Sequence, residues 1–335
     1  MTETVLVTGG TGYVGGWVIA ELLKRGYNVR TTIRNLAKEG AVRAAVGKEV
    51  DPGNRLAFAA ADLGADTGWD AAITGCAYVL HVASPLGGGG EKDPDALVKP
   101  AREGTLRVLR AAVKAGVKRV VLTSSCGAAT PVTMGAATIS DEETWSDPGK
   151  QDPYRRSKTL AERAAWEFMK AEGGATELTT VLPSGVFGPV LSQDGLGSVQ
   201  FIQRIIDGRL PRIPNVGLSI IDVRDLAIAH IDAMTAPGAA GQRLIINGDF
   251  MWMKDIAATL KAKLGAQGNK VPTKPLPDFV VNIGANFSSA LNTLKPLLRR
   301  SHRFSSDKAR RIIGLKTRPA TETVVDCARS LLKSP

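Results

Sequence analysis

Apolar residues in the first half of the chain fall into two alternating patterns. Short runs bounded by turn residues recur at Thr4–Thr8, Asn28–Ile33, Leu56–Ala60, Tyr78–Ala83 and Arg119–Ser124, and stretches with helical spacing, such as Gly15–Arg25 and Pro100–Ala115, lie between several of them. Strands alternating with helices predict βαβ units and a parallel sheet covered on both faces. The continuous apolar run in "RVVLTSS" suits a central strand. "DPYRRSKTLAERAAWEFMKAEG" reads as one long helix, with Asp152 as N-cap, Pro153 at the first helical position and Gly173 as the stop. "LTTVLPSGVFGP" then reads as a buried strand running into a Pro/Gly loop. After about Pro189 the pattern loosens, with Pro, Gly and Ser gathered in Ser192–Ser198 and Gly265–Pro277, the kind of loop that carries binding surfaces on a rigid scaffold. The expectation is a doubly wound α/β fold. Residues 1–189 form the sheet domain, 215–248 return to it, and 190–214 with 249–335 make a smaller, interleaved substrate domain.

Composition narrows the partners. The chain has 335 residues, of which 44% are hydrophobic and 22% charged, an ordinary globular balance. A net charge of +11 favours anions such as phosphorylated cofactors, nucleic acid or a membrane surface. The basic residues are scattered, however, with one modest cluster at Lys295, Arg299, Arg300, His302 and Arg303, and no nucleic-acid signature accompanies them, so no nucleic-acid partner is expected. Thr2 and Glu3 lead straight into a strand-like run, so no signal peptide is expected, and no apolar run approaches the roughly 20 residues of a membrane span. Cys76, Cys126 and Cys327 are widely spaced and have no metal-ligand pattern, which points to a cytoplasmic protein without a metal site.

The first apolar run ends in a crowd of glycines at 9, 10, 12, 15 and 16. Gly10, Gly12 and Gly15 fit G-x-G-x-x-G, and Gly9, Gly12 and Gly15 equally fit G-x-x-G-x-x-G. Between a strand and a helix this is a dinucleotide fingerprint of the Rossmann type: one glycine permits the turn, one admits the pyrophosphate and one lets helix and strand approach. The helix N-terminus offers unpaired N–H groups to the phosphates. The other reading is a glycine turn made only for packing. An NAD site places an acid about 20 residues further on, yet no Asp or Glu occurs between Glu21 and Glu39. Arg34 follows the second strand instead, with Lys38 beyond it; a guanidinium grips a 2′-phosphate that a carboxylate would repel. NADP is therefore expected, although Arg34 also reads as a solvated turn residue. Asp62, after the third strand, is placed to hydrogen-bond adenine or, alternatively, to cap a helix.

On the long helix Tyr154 and Lys158 are four apart and point from one face. Thr123, Ser124 and Ser125 end a buried strand at the sheet edge where ligands bind in open α/β folds. Together the TGxxGxxG turn, the serine at the end of the fifth strand and the Tyr-x-x-x-Lys helix resemble the short-chain dehydrogenase/reductase superfamily. Length and "LPSGVFGP" resemble its extended branch. "HVASP", "KDP…VKPAREGTLRVLRAA", "TSSCGA" and "SKTLAERAAWEF" are similar to dihydroflavonol 4-reductases and related bacterial aldehyde/ketone reductases. The resemblance implies an NADPH-dependent reductase that turns an aldehyde or ketone into an alcohol. Tyr154 would be the general acid, Lys158 would hold the nicotinamide ribose and favour the tyrosinate, and Ser125 would orient the carbonyl, with Ser124 as its runner-up.

Cofactor contacts are implied for the turn (Gly9, Gly12, Tyr13, Val14, Gly15), for Asp62 and Leu63, for Val82, Ala83, Ser84 and Pro85 after the fourth strand, and for Thr123 and Ser124. Pro183 and Val186 would flank the nicotinamide. The sequence departs from the family pattern where plant flavonoid reductases carry an Asn: Thr130 stands here, which speaks against a dihydroflavonol. Cys126 and Gly127 stand where sugar-nucleotide dehydratases carry an acidic pair. Cys126, His81 and His230 read as packed residues. Leu191, Leu196, Val199 and Phe201 suggest a hydrophobic small-molecule carbonyl substrate, and the protein is expected to be a monomer or homodimer. "FVVNIGANFSSALNTLKPLLRRSHR" reads either as a basic amphipathic helix on anionic lipid or as a helix covering the substrate cleft; Asp307 to Gly314 reads as a capped helix. Rival functions are a sugar-nucleotide epimerase, a hydroxysteroid dehydrogenase, or an NADP-sensing protein without turnover.

Overall fold

In the computed structural model, which describes residues 2–85, 93, 95–192 and 196–333, seven strands join into one parallel sheet. They are β1 (Thr4–Thr8), β2 (Asn28–Ile33), β3 (Leu56–Ala60), β4 (Tyr78–His81), β5 (Arg119–Thr123), β6 (Glu177–Pro183) and β7 (Arg243–Ile246). Their order is β7-β6-β5-β4-β1-β2-β3, so the direction of winding reverses between β1 and β4 and leaves a crevice at their C-terminal ends. This is the doubly wound Rossmann-type architecture that the alternating pattern predicts.

Side-chain alternation along the strands feeds two cores. Val5 and Val7 join the core that holds α1 (Tyr13–Lys24), α2 (Glu39–Gly47) and α7 (Val223–Thr235). Leu6 points to the opposite face, where α3 (Trp69–Ile73), α4 (Val98–Lys114) and α5 (Pro153–Glu172) bury Trp69, Leu109 and Phe168. A separate apolar cluster joins α6 (Val199–Ile206), α8 (Met253–Lys263) and α12 (Ala320–Lys333), with Phe187 and Ile220 at its edge. There the strands Phe250–Trp252, Gly217–Asp222 and Gly185–Phe187 form a small sheet.

Element ends differ from the sequence reading where side chains and backbone leave the ladder early. β4 stops at His81, two residues short of Ala83, because the Ala83 N–H turns to the Thr8 hydroxyl at 2.9 Å. α1 begins at Tyr13 rather than Gly15, with Gly12 as its N-cap. The segment read as one amphipathic helix is broken: α9 (Asp278–Gly284) and α10 (Ser289–Leu294) are separate, and Ser301–Phe304 is a strand paired in parallel with Ala137–Ser140. Gly284 and Asn286 interrupt the helical spacing and Pro296 ends it. α11 (Asp307–Ile313) ends at Gly314, whose φ of 65° is the left-handed cap the sequence predicts.

The apolar residues read as a substrate lining have another explanation. Val199 is fully buried, Leu196 and Leu191 nearly so, and Phe201 packs on the Phe187 ring at 6.2 Å. Packing accounts for their character. Residues 193–195 of that stretch, and residues 92 and 94 of the "KDP" motif, lie outside the described residues.

Candidate functional site

The glycine turn is built by close approach. Gly9 has φ +78°, and a β-carbon there would lie 3.0 Å from that of Ala83; one on Gly15 would lie 2.4 Å from the Gly9 carbonyl oxygen. The Gly12 amide donates to the same carbonyl at 2.9 Å. Gly12 brings no side chain to cover the first-turn N–H groups of α1, around Tyr13, Val14 and Gly15, so the helix start faces the crevice uncapped. Tyr13 uses its hydroxyl elsewhere, donating to the Gly188 carbonyl at 2.9 Å, and Trp17 donates to Pro189 at 2.8 Å. These two bonds tie the Pro/Gly loop to α1.

A cleft of about 450 Å³, counted to its open mouth, is lined by Gly10, Thr11, Gly12, Tyr13, Lys38 and Leu191 among others. Arg34 is exposed directly after β2, and Lys38 closes the short turn Leu36–Lys38. Asp62 is exposed after β3; its carboxylate accepts from the Gly64 amide at 2.7 Å in a local turn, so it caps no helix. Leu63 lies against Gly104 of α4 and accepts from Arg107 at 2.8 Å through its carbonyl. The residues present suit a dinucleotide with a 2′-phosphate: a cradle that side chains would fill, an uncapped helix start, and Arg34 and Lys38 after a second strand that ends without an acid.

At the C-terminal ends of β4 and β5 a second cavity, of about 250 Å³, is lined by Ala83, Ser84, Thr123, Ser124, Lys158 and Glu162 among others. Val82 and Pro85 flank that lining in the chain. Pro183 is buried as the last residue of β6, and Val186, half-buried on its short strand, accepts from the Ser198 hydroxyl.

α5 delivers Tyr154 and Lys158 to this edge. Asp152 caps it by accepting from the Arg155 amide at 3.0 Å, and Pro153 occupies its first position, so the helix starts one residue before Tyr154. The Ser125 side chain meets the Tyr154 phenol; burial pushes the phenol's pKa up, and the Ser125 contact pulls the other way. Tyr154 is therefore a proton-bearing phenol here. Lys158 is 6% exposed and donates to the Thr123 carbonyl at 3.1 Å. Burial lowers its ammonium to about 8, opposed by the field of Glu162.

The neighbouring serines separate here. Ser124, in the cavity lining, donates to the Glu162 carboxylate at 2.6 Å, whereas Ser125 accepts from the Gly127 amide at 3.0 Å. Thr123 bonds His230 at 2.7 Å, and His81 bonds Thr8 at 2.9 Å; burial lowers His81 to about 3 and His230 to about 4. Both histidines are packed and neutral, as the sequence suggests. Cys126 is buried on the Leu182 carbonyl, with its thiol pushed up by burial, and Thr130 spends its hydroxyl on the Cys126 carbonyl at 3.0 Å. Sequence reading passes over Glu162, although Tyr154, Lys158 and Glu162 stand at i, i+4 and i+8 on one helix face.

The likeness to known proteins agrees with this geometry. Residues 5–247 match the NAD dependent epimerase/dehydratase family. Cinnamoyl-CoA reductase 1 of Petunia hybrida is 32% identical over 98% of this chain and 92% of its own length. Dihydroflavonol 4-reductase of Zea mays is 34% identical over 77% of this chain and 73% of its own. The structure of yeast methylglyoxal/isovaleraldehyde reductase Gre2 complexed with NADPH superposes with a TM-score of 0.82 at 27% identity, covering 98% of both chains. A continuous match through the glycine turn, the serine strand and the Tyr-x-x-x-Lys helix supports the resemblance to extended short-chain reductases: the chain belongs to the NAD dependent epimerase/dehydratase family.

Proposed function

We propose that this protein is an NADPH-dependent carbonyl reductase that converts an aldehyde or ketone to an alcohol, with Tyr154, Lys158 and Ser125 as its reacting set. The observation that carries this reading is the meeting of Ser125 and Tyr154 beside a buried Lys158, at the sheet edge where the glycine turn opens. Gly9, Gly12 and Gly15 would receive the pyrophosphate, Arg34 and Lys38 the 2′-phosphate, and Pro183 and Val186 the nicotinamide face. Bound there, NADPH supplies the hydride.

The chain's own residues supply the proton and the geometry. Ser125 donates a hydrogen bond to the substrate oxygen and orients the carbonyl. Tyr154 gives its proton to that oxygen as negative charge develops, and the raised phenol pKa keeps the proton in place until then. With a pKa near 8, Lys158 is largely cationic at neutral pH and stabilises the tyrosinate left behind. Residues 1–189 and 215–248 carry the cofactor in this reading, and 190–214 with 249–335 shape the substrate side. No helix among the described residues is long and apolar enough to cross a membrane.

The test is absorbance at 340 nm with NADPH and NADH against aryl ketones, aliphatic aldehydes, methylglyoxal, a dihydroflavonol and a cinnamoyl-CoA thioester, the last three taken from the relatives' names. NADPH consumption with a carbonyl supports the reading, and the substrate ranking describes the pocket. Silence across the panel with NADPH binding intact replaces it with the epimerase or the sensing reading.

A further inference from the structure

Behind Lys158 lies a buried ion pair that the mechanism above does not use. Glu162 sits one helical turn beyond Lys158 on α5 and is 1% exposed. Its carboxylate accepts from Ser124 at the end of β5 at 2.6 Å, from Thr180 of β6 at 2.8 Å and from Arg243 of β7 at 2.8 Å. One side chain thus draws donors from three adjacent strands. Arg243 is held as firmly: its guanidinium lies 3.6 Å from the centre of the Trp145 ring and donates to the carbonyls of Glu142 and Thr144.

Two buried charges are a weak means of gaining stability, since an apolar pair of equal volume does as well or better. This pair stands where it bears on the reacting residues. From that placement we infer that Glu162 is a positioning residue, tying the helix that carries Tyr154 and Lys158 to the strand end that carries Ser125 and presenting a negative charge to Lys158. The inference rests on the reading of Lys158 given above.

The groups facing the pair come from every element around it. They are Lys158 on α5, which feels Glu162, Cys126 after β5, which feels both members, and Glu142, whose carbonyl accepts from Arg243; His81 on β4 faces Lys158 in turn. His81 and Cys126 are neutral at physiological pH, because burial lowers the first to about 3 and raises the second. Glu142 accepts from the Ile245 amide at 2.9 Å and belongs to the Arg243 side of the network. Glu162 is thus the anion that offsets the burial of Lys158.

Glu162→Gln keeps the shape and removes the charge. The direct readout is the Lys158 titration, followed by pH-dependent trace acetylation of the amine and mass spectrometry of its peptide, with and without NADPH. The expected result is a fall of about one pH unit in the Lys158 midpoint, with the alkaline limb of kcat/KM for carbonyl reduction moving the same way. A folded variant with the wild-type Lys158 midpoint overturns the inference. If the Gln variant does not fold, Glu162→Asp draws the carboxylate back by one methylene; a smaller downward shift supports the role, and no shift overturns it. Failure of both variants to fold assigns Glu162 to stability alone and also overturns it. The catalytic reading fails separately, through undiminished turnover of Tyr154→Phe and Lys158→Ala, while the titration of Lys158 still answers for Glu162.

Discussion

Ser124 and Ser125 are neighbours in the chain, yet their hydroxyls serve different structures: Ser124 donates inward to Glu162 at 2.6 Å, and Ser125, capped onto the Gly127 amide at 3.0 Å, meets the Tyr154 phenol. Their alanine variants are therefore expected to fail in different ways. Ser125→Ala removes a donor to the substrate oxygen and should cost about 10²-fold in kcat, with a small loss of stability from the lost cap on Gly127. Ser124→Ala leaves a buried carboxylate short of one donor and should cost on the order of 1–3 kcal/mol of stability. Steady-state kinetics and thermal unfolding of the pair decide it; the reverse assignment would return Ser124 to the reacting set.

Tyr154→Phe keeps the ring and removes the proton. The expected loss is about 10²-fold or more in rate, with NADPH binding retained, since general acid catalysis contributes roughly 10²–10⁴-fold. Turnover near that of the unchanged protein would take Tyr154 out of the mechanism.

Arg34 is exposed just past β2, in a stretch without acids. Arg34→Ala should weaken NADPH much more than NADH, because only the former carries the 2′-phosphate. Fluorescence titration with both cofactors measures this, and equal losses would move the job to another residue.

The backbone packing at Gly15 admits no side chain, the β-carbon position being 2.4 Å from the Gly9 carbonyl oxygen. Gly15→Val should deform the turn and abolish dinucleotide binding in whatever protein still folds. Normal NADPH affinity in that variant would contradict the cradle.

All three histidines are held below their ordinary pKa by burial: His81 at about 3, and His230 and His302 at about 4. Between pH 6.5 and about 4 the unfolded chain binds protons that the folded chain cannot, so stability rises with pH across this window and falls on acidification. His81 and His230 each contribute about 3 kcal/mol of that loss at pH 4. Thermal unfolding at pH 7, 5.5 and 4 should show the decline. His230→Gln, which keeps a polar group toward Thr123, should flatten it; an equally steep decline in that variant would exclude His230 as a source.

What can be read in the linear sequence is what short-range physics governs. β1, β2 and β3 lie where alternation and turn residues put them, and the glycine turn, the Asp152-Pro153 helix start and the Gly314 stop are local conformational preferences of the residues that carry them. The pairing of Tyr154 with Lys158 is legible for the same reason, as helical spacing presents both from one face. The assignments that failed involve distant partners. Leu196 and Val199 look like a pocket lining until the core of α6, α8 and α12 closes over them, and the segment from Phe279 to Arg303 looks like one helix until its last residues find Ala137–Ser140 as a strand partner. Only the tertiary structure gave Ser124 and Ser125 different hydrogen-bond partners and revealed Glu162, whose partners Ser124 and Arg243 stand 38 and 81 positions away. A buried charge is tolerated only where the fold assembles donors around it, and no local pattern records where distant strands will end.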